Sequence, residues 1–183
     1  MLTTPVQAAP YMASSAGFAL PANSNATFSG VLYPNASEYK RGVLMSVGLG
    51  ITSGAYRLEG ILGYQSNPVY KKSGGAISGS DLSLLSAMAN GYRDFSMGSS
   101  NISPYLMAGL GGARVDVTAG GVNQNVFAWQ IGTGAGLKVS DRVTLDLSGR
   151  YYKTGDVTDF SGSTPATFTV SGLKYMIGAR VNF

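Results

Sequence analysis

Leu173, Tyr175, Ile177, Ala179, Val181 and Phe183 fall on every second position of one run, with Lys174, Arg180 and Asn182 among the residues between them. A period of two sends the first set to one face of a strand and the second to the other. An apolar face that runs unbroken to Phe183, backed by a charged one, is what a closed barrel in lipid asks of its last strand. The bilayer core offers no water to satisfy an open sheet edge, so the strand must also find neighbours on both sides.

Composition removes the main alternatives. Asp, Glu, Lys and Arg make up 12% of the chain, about half the usual share, which would leave a soluble domain poorly solvated. The longest uncharged stretches, Met1 to Ser37 and Val117 to Leu137, are broken by Pro, Gly, Asn and Thr, so neither is the apolar helix of roughly 20 residues that spans a bilayer. With no Cys and no His, disulfides, thiolate or imidazole metal sites and imidazole-based triads are excluded. No cofactor is expected. The net charge of +4 comes with only two adjacent basic pairs, Lys40-Arg41 and Lys71-Lys72, so nucleic acid is not an expected partner.

Alternation bounded by turn residues marks eight segments: Pro10 to Leu20, Val43 to Thr52, Tyr56 to Gln65, Leu82 to Tyr92, Pro104 to Val117, Val126 to Val139, Val143 to Tyr152 and Phe168 to Phe183. Each is about the 9 to 11 residues that a tilted strand needs to cross. Their connections alternate between tight, as at Ser53-Gly54 and Ser140-Asp141-Arg142, and long, as in 21–42, 66–81 and 153–167. The predicted fold is therefore all-β, an eight-stranded antiparallel up-and-down transmembrane barrel, with short periplasmic turns, four longer extracellular loops and both termini in the periplasm. Residues 1–9 are expected to be a periplasmic extension, with Val6-Gln7-Ala8 similar to a small-residue cleavage site; residues 10–183 form the barrel domain.

Two patterns test the order. Aromatics should gather at the two membrane interfaces, and Tyr11, Tyr56, Tyr92, Phe95, Tyr105 and Phe183 fall near the periplasmic rim, with Phe18, Tyr64, Phe127, Trp129, Tyr151 and Phe168 near the outer one. Tyr175 falls between these girdles, and Tyr152 takes the inward parity. Charges should avoid the lipid face, where one at mid-depth costs about 2–4 kcal/mol. In the pairs Arg57/Glu59, Arg114/Asp116, Asp146/Arg150 and Lys174/Arg180, both members share the parity opposite to the apolar set. Serines and Asn90 on the first and fourth segments fix no register there.

Three stretches resemble the small bacterial outer-membrane barrels of the opacity-protein, OmpA-like and OmpX-like group: Ala89-Asn90-Gly91-Tyr92-Arg93-Asp94-Phe95, Pro104-Tyr105-Leu106-Met107-Ala108-Gly109-Leu110-Gly111 with Arg114-Val115-Asp116-Val117 behind it, and Ser140-Asp141-Arg142-Val143-Thr144-Leu145-Asp146-Leu147 running on through Arg150-Tyr151-Tyr152. With the terminal strand, the resemblance covers the second half of the chain, and the first half by spacing. It implies a surface-antigen barrel whose loops carry individual function. It also implies a terminal signal for the barrel-assembly machinery at Gly178, Val181 and Phe183.

The chemistry-bearing constellation is the inward charge set: Arg57, Glu59, Lys138, Asp146 and Arg180 low in the lumen, with Arg114, Asp116, Arg150 and Lys174 higher. A lumen of eight strands is just wide enough for side chains, so these charges are expected to pair or hold trapped water and plug the barrel. Glu59 and Asp146 as an acid and base pair would lack a water-excluding cleft and a His, so the protein is not expected to be an enzyme. Gly109, Gly111 and Gly112 lie within a strand rather than before a helix, which removes a phosphate-binding loop. Tyr33, Tyr39, Lys40, Arg41, Tyr70, Lys71 and Lys72 are candidate loop contacts for lipopolysaccharide phosphates or an acidic host glycan, or else solvated loop residues. Expected partners are outer-membrane lipid including lipopolysaccharide, the assembly machinery, and a host or cell-surface ligand; a monomer is expected. Three functions compete: a structural or surface-interaction barrel, a narrow channel or lateral conduit, and a soluble lipocalin-like barrel with inverted parity.

Overall fold

In the computed structural model the described residues are 8–22, 24–28, 31–39, 41–72, 75–76, 81–98, 100–117, 122–159 and 166–183; side chains are described for 8–22, 41–68, 82–98, 100–116, 123–158 and 167–183. Eight long strands form the wall: β1 (Ala9–Pro21), β4 (Gly42–Ser53), β5 (Tyr56–Lys72), β7 (Asp81–Asp94), β8 (Ile102–Val117), β9 (Val122–Lys138), β10 (Val143–Thr154) and β13 (Ser171–Asn182). Each pairs antiparallel with the next, and β13 returns to β1, so the sheet has no free edge. Closure satisfies every ladder without help from solvent.

The eight strands match the eight predicted segments, and most bounds agree within a few residues. β5 differs, because it continues to Lys72 rather than stopping at Gln65. Above the wall it seeds a second sheet from segments expected to be loops: β2 (Ser24–Phe28), β3 (Val31–Tyr39), β6 (Gly75–Ala76), β11 (Val157–Asp159) and β12 (Ala166–Phe168). The order β11-β12-β2-β3-β5 ties the first, second and fourth long connections together. Phe168 belongs to this sheet, not to the last wall strand.

At the other end the connections are short. Gly54, at a φ of 59°, turns β4 into β5, with Ser53 and Tyr56 as Cα partners; only glycine enters that region without a steric cost. Between β9 and β10 the Ser140 hydroxyl accepts from the Arg142 and Val143 amides at 3.4 and 3.1 Å. That side chain replaces ladder partners the turn cannot offer.

The two faces of the wall differ. Val43, Met45, Val47, Leu49 and Ile51 on β4 point outward, as do Leu58 and Leu62 on β5, Leu106 and Leu110 on β8, Leu147 on β10 and Ile177 on β13, most of them more than half exposed. A continuous apolar belt of this kind has no place in water. Inside, Leu82, Leu84, Met88, Ala113, Val115, Ala128, Tyr152, Val157 and Val170 pack as one buried cluster under the upper sheet, with Phe168 against it. The upper lumen thus adds an apolar cluster beside inward polar and charged residues such as Gln65, Asn67, Arg150 and Lys174, while the lower lumen is mainly polar.

Candidate functional site in the barrel lumen

β5 and β7 pair with Arg57 opposite Tyr92, and the pleat turns both inward. Arg57 donates from Nε and Nη2 to the two carboxylate oxygens of Asp94, at 2.7 and 2.9 Å. Its guanidinium lies 4.2 and 4.9 Å from the ring centroids of Tyr92 and Tyr105. Bidentate pairing and stacking both match the planar fork of arginine. The Tyr92 hydroxyl donates to Glu59 at 2.6 Å. Across the lumen Arg180 Nε donates to Asp146 at 2.6 Å, and its guanidinium lies 5.9 Å from the Tyr11 ring. Higher up, Gln130 donates to Asn90 at 2.8 Å, and Gln65 donates to Asn67 and to the Tyr152 hydroxyl at 2.6 and 3.0 Å.

Glycines make room for this packing. A Cβ at Gly134 would sit 2.5 Å from the Tyr105 hydroxyl, and one at Gly50 would strike the Tyr11 ring. Bulky residues on β1 and β8 are therefore matched to gaps on neighbouring strands, a complementarity visible only once register is known. Between the described side chains lie a cavity of about 30 Å³ lined by Arg57, Glu59, Asp146 and Arg150, and another of about 20 Å³ beside Arg150 and Lys174. Each has room for about one or two waters. A cleft of about 380 Å³ at the tight-turn end is lined by Asp94, Lys138 and Arg180.

Several sequence expectations need correction. Arg114 and Asp116 point outward, because β8 turns Tyr105, Met107, Ala113 and Val115 into the lumen. Asp116 accepts from Asn123 at 3.2 Å on the exposed side, in the end of β8 nearest the long connections. Arg114 lies past Gly112 and its partner Phe127, toward the long connections, and a charge on the outer face costs little near an interface. Lys138 has inward parity but sits at the mouth, paired with exposed Asp141 at 3.1 Å. Tyr11, Tyr92 and Tyr105 are 1–5% exposed inside the lumen rather than in a lipid-facing girdle, where their rings flank arginines. Asp94, expected in a turn, is the partner of Arg57, since β7 extends two residues beyond Tyr92.

The remaining residues lie as follows. Tyr56, Phe95 and Phe183 face outward at the tight-turn end, where Arg93 donates to the Tyr56 hydroxyl and lies over its ring. At the other end Phe18, Tyr64 and Phe127 are exposed, and Trp129 packs on Tyr151 at 5.7 Å. Tyr175 joins them, 5.4 Å from Phe18. Phe168 turns inward instead. Gly178 faces the lumen, while Val181 and Phe183 face outward. Arg41 lies over the Phe18 ring at 4.9 Å. Lys40 lies outside the described residues, as do the side chains of Tyr33, Tyr39, Tyr70, Lys71 and Lys72. Among the described residues no cluster of three or more acidic side chains could hold a metal.

An apolar belt around a lumen that holds charged side chains is the inside-out arrangement of a lipid-embedded barrel. The family model for the outer membrane protein beta-barrel domain matches residues 1–171. The chain belongs to this family. The outer-membrane barrel is 34% identical over 87 residues to outer membrane protein PagN of Salmonella typhimurium, a match covering 41% of this chain and 36% of that protein. The match therefore spans little more than a third of that relative's length. Among solved structures, Neisserial surface protein A is 24% identical with a TM-score of 0.67, covering 97% of this chain and 99% of its own. OprG of Pseudomonas aeruginosa is 14% identical with a TM-score of 0.63, covering 98% of each chain. These two likenesses concern the fold.

Proposed function

We propose that this outer-membrane barrel is a non-enzymatic structural and surface-interaction protein, adhesin- or antigen-like, whose extracellular loops meet the exterior and whose lumen is closed. Both termini lie in the periplasm in this reading, supported by the tight turns of β4–β5 and β9–β10 at one end and the long connections at the other. The observation that carries it is the upper sheet: three connections are hydrogen-bonded into one extension of β5, and the cavities between the described lumen side chains beneath it are about 20 and 30 Å³. A rigid wall with joined tips suits display, and a filled lumen does not suit passage. Glu59 and Asp146 are engaged by Tyr92 and Arg180, which supports a packing role for both carboxylates. Lipopolysaccharide, the assembly machinery and an acidic surface ligand are the partners this reading carries.

Cells displaying the full chain should attach to acidic-glycan-coated plates, and cells displaying a chain with residues 22–41 replaced by a tight turn should lose attachment while the barrel still shifts mobility on heating. Equal attachment by both would contradict display. Reproducible single-channel conductance in planar bilayers would contradict the closed lumen and favour the conduit.

A further inference from the structure

Arg150 on β10 and Lys174 on β13 are direct Cα partners, and both side chains enter the lumen. Like charges directly opposed across a ladder repel. Among the described residues neither forms an ion pair with a carboxylate: Lys174 Nζ lies 4.1 Å from the Tyr152 ring centroid, and Arg150, 7% exposed, has its Nε buried with no hydrogen-bond partner. Arg57 and Arg180 take Asp94 and Asp146. Glu59 accepts the Tyr92 hydroxyl and lines the lower cavity, which Arg150 also borders together with Asp146; no carboxylate lines the upper cavity that Arg150 shares with Lys174. Among the described lumen residues, the cations Arg57, Arg150, Lys174 and Arg180 thus outnumber the carboxylates Glu59, Asp94 and Asp146 by one.

A buried ionised group needs a countercharge or matched hydrogen bonds. The cavity of about 20 Å³ supplies a place for one: Arg150 and Lys174 line it, with Ser46, Gln65, Ser86 and Gln130 as further polar neighbours. Its size suits a particle close to a water molecule and is too small for a phosphate or carboxylate group. We infer that this cavity binds one small monovalent anion of the chloride class, held between Arg150 and Lys174. The anion accepts from Arg150, offsets the single excess charge and screens the two cations from each other. The inference rests on the closed lumen proposed above.

The test is the unfolding midpoint of the full chain in detergent micelles, with chloride exchanged for gluconate at constant ionic strength. The midpoint should rise with chloride by roughly 3–5 °C per tenfold increase above the dissociation constant. Lys174→Glu, which sets a carboxylate opposite Arg150, should fold and abolish that dependence. Equal midpoints in chloride and gluconate, or an unchanged dependence in Lys174→Glu, would overturn the site. Crystals of the unaltered chain soaked in bromide give an independent reading: an anomalous peak between Arg150 and Lys174 supports the site, and water alone there rejects it. Conductance together with a chloride-dependent midpoint would reject closure while leaving the anion site standing.

Discussion

Arg57 is 4% exposed, and its stability rests on Asp94 and on two flanking tyrosine rings. Removing the carboxylate strands a buried charge, so Asp94→Ala should lower stability by about 3–5 kcal/mol in urea titrations of the micelle-bound barrel. Arg114→Ala should change it by less than about 0.5 kcal/mol, because that side chain is exposed near the outer end of β8. The contrast separates Arg57, which loses its partner in the first variant, from Arg114, two arginines that the charge pattern alone places together in the lumen. On β8 both parities are apolar, with Leu106 and Leu110 on one and Tyr105, Met107 and Val115 on the other. Charge therefore decided the expected parity, and it misled because Arg114 and Asp116 lie at the long-connection end of β8, past the level of Phe127, where an outward charge costs little. Aromatic position misled in a similar way at Tyr11, Tyr92 and Tyr105, since a tyrosine near the rim can face the lumen as readily as the headgroups.

At the scale of elements, β4 and β5 were legible because both keep an apolar outward set over their whole crossing against an inward set in which Ser46, Gly48, Arg57 and Glu59 mark the other parity. The upper sheet was not. β2, β3, β6, β11 and β12 are short, and their pairing depends on contacts between distant connections, such as Ala166 with Phe28. Local pattern carries no information about such partners. The β4–β5 turn offers a direct check. Gly54→Ala forces a side chain into a φ of 59°, which should cost about 1 kcal/mol and slow refolding into micelles, measured by the fraction of heat-shifted species over time. Gly134→Ala on β9 should cost more than Gly149→Ala on β10, because the first meets the Tyr105 hydroxyl at 2.5 Å and the second meets the Tyr175 ring at 3.6 Å.

For the whole molecule, closure and inversion explain each other: with every edge paired, the wall can expose its apolar residues to acyl chains and must hide its charges inside. The eight crossings and their order were readable because lipid imposes the same period on every strand. The apolar cluster in the upper lumen was not, since Leu82 and Leu84 look like ordinary strand residues and Val157 falls in a long connection until the register brings them together. The chain has no cysteine, so single spin labels can be placed along β4 and β5 and their collision rates with oxygen and a polar nickel reagent compared in bilayers. Labels at Met45, Val47, Leu49, Leu58 and Leu62 should be oxygen-accessible, and those at Ser46, Gly48, Glu59 and Ile61 should be shielded from both reagents. Oxygen accessibility without alternation, or with the two sets reversed, would contradict the inside-out barrel.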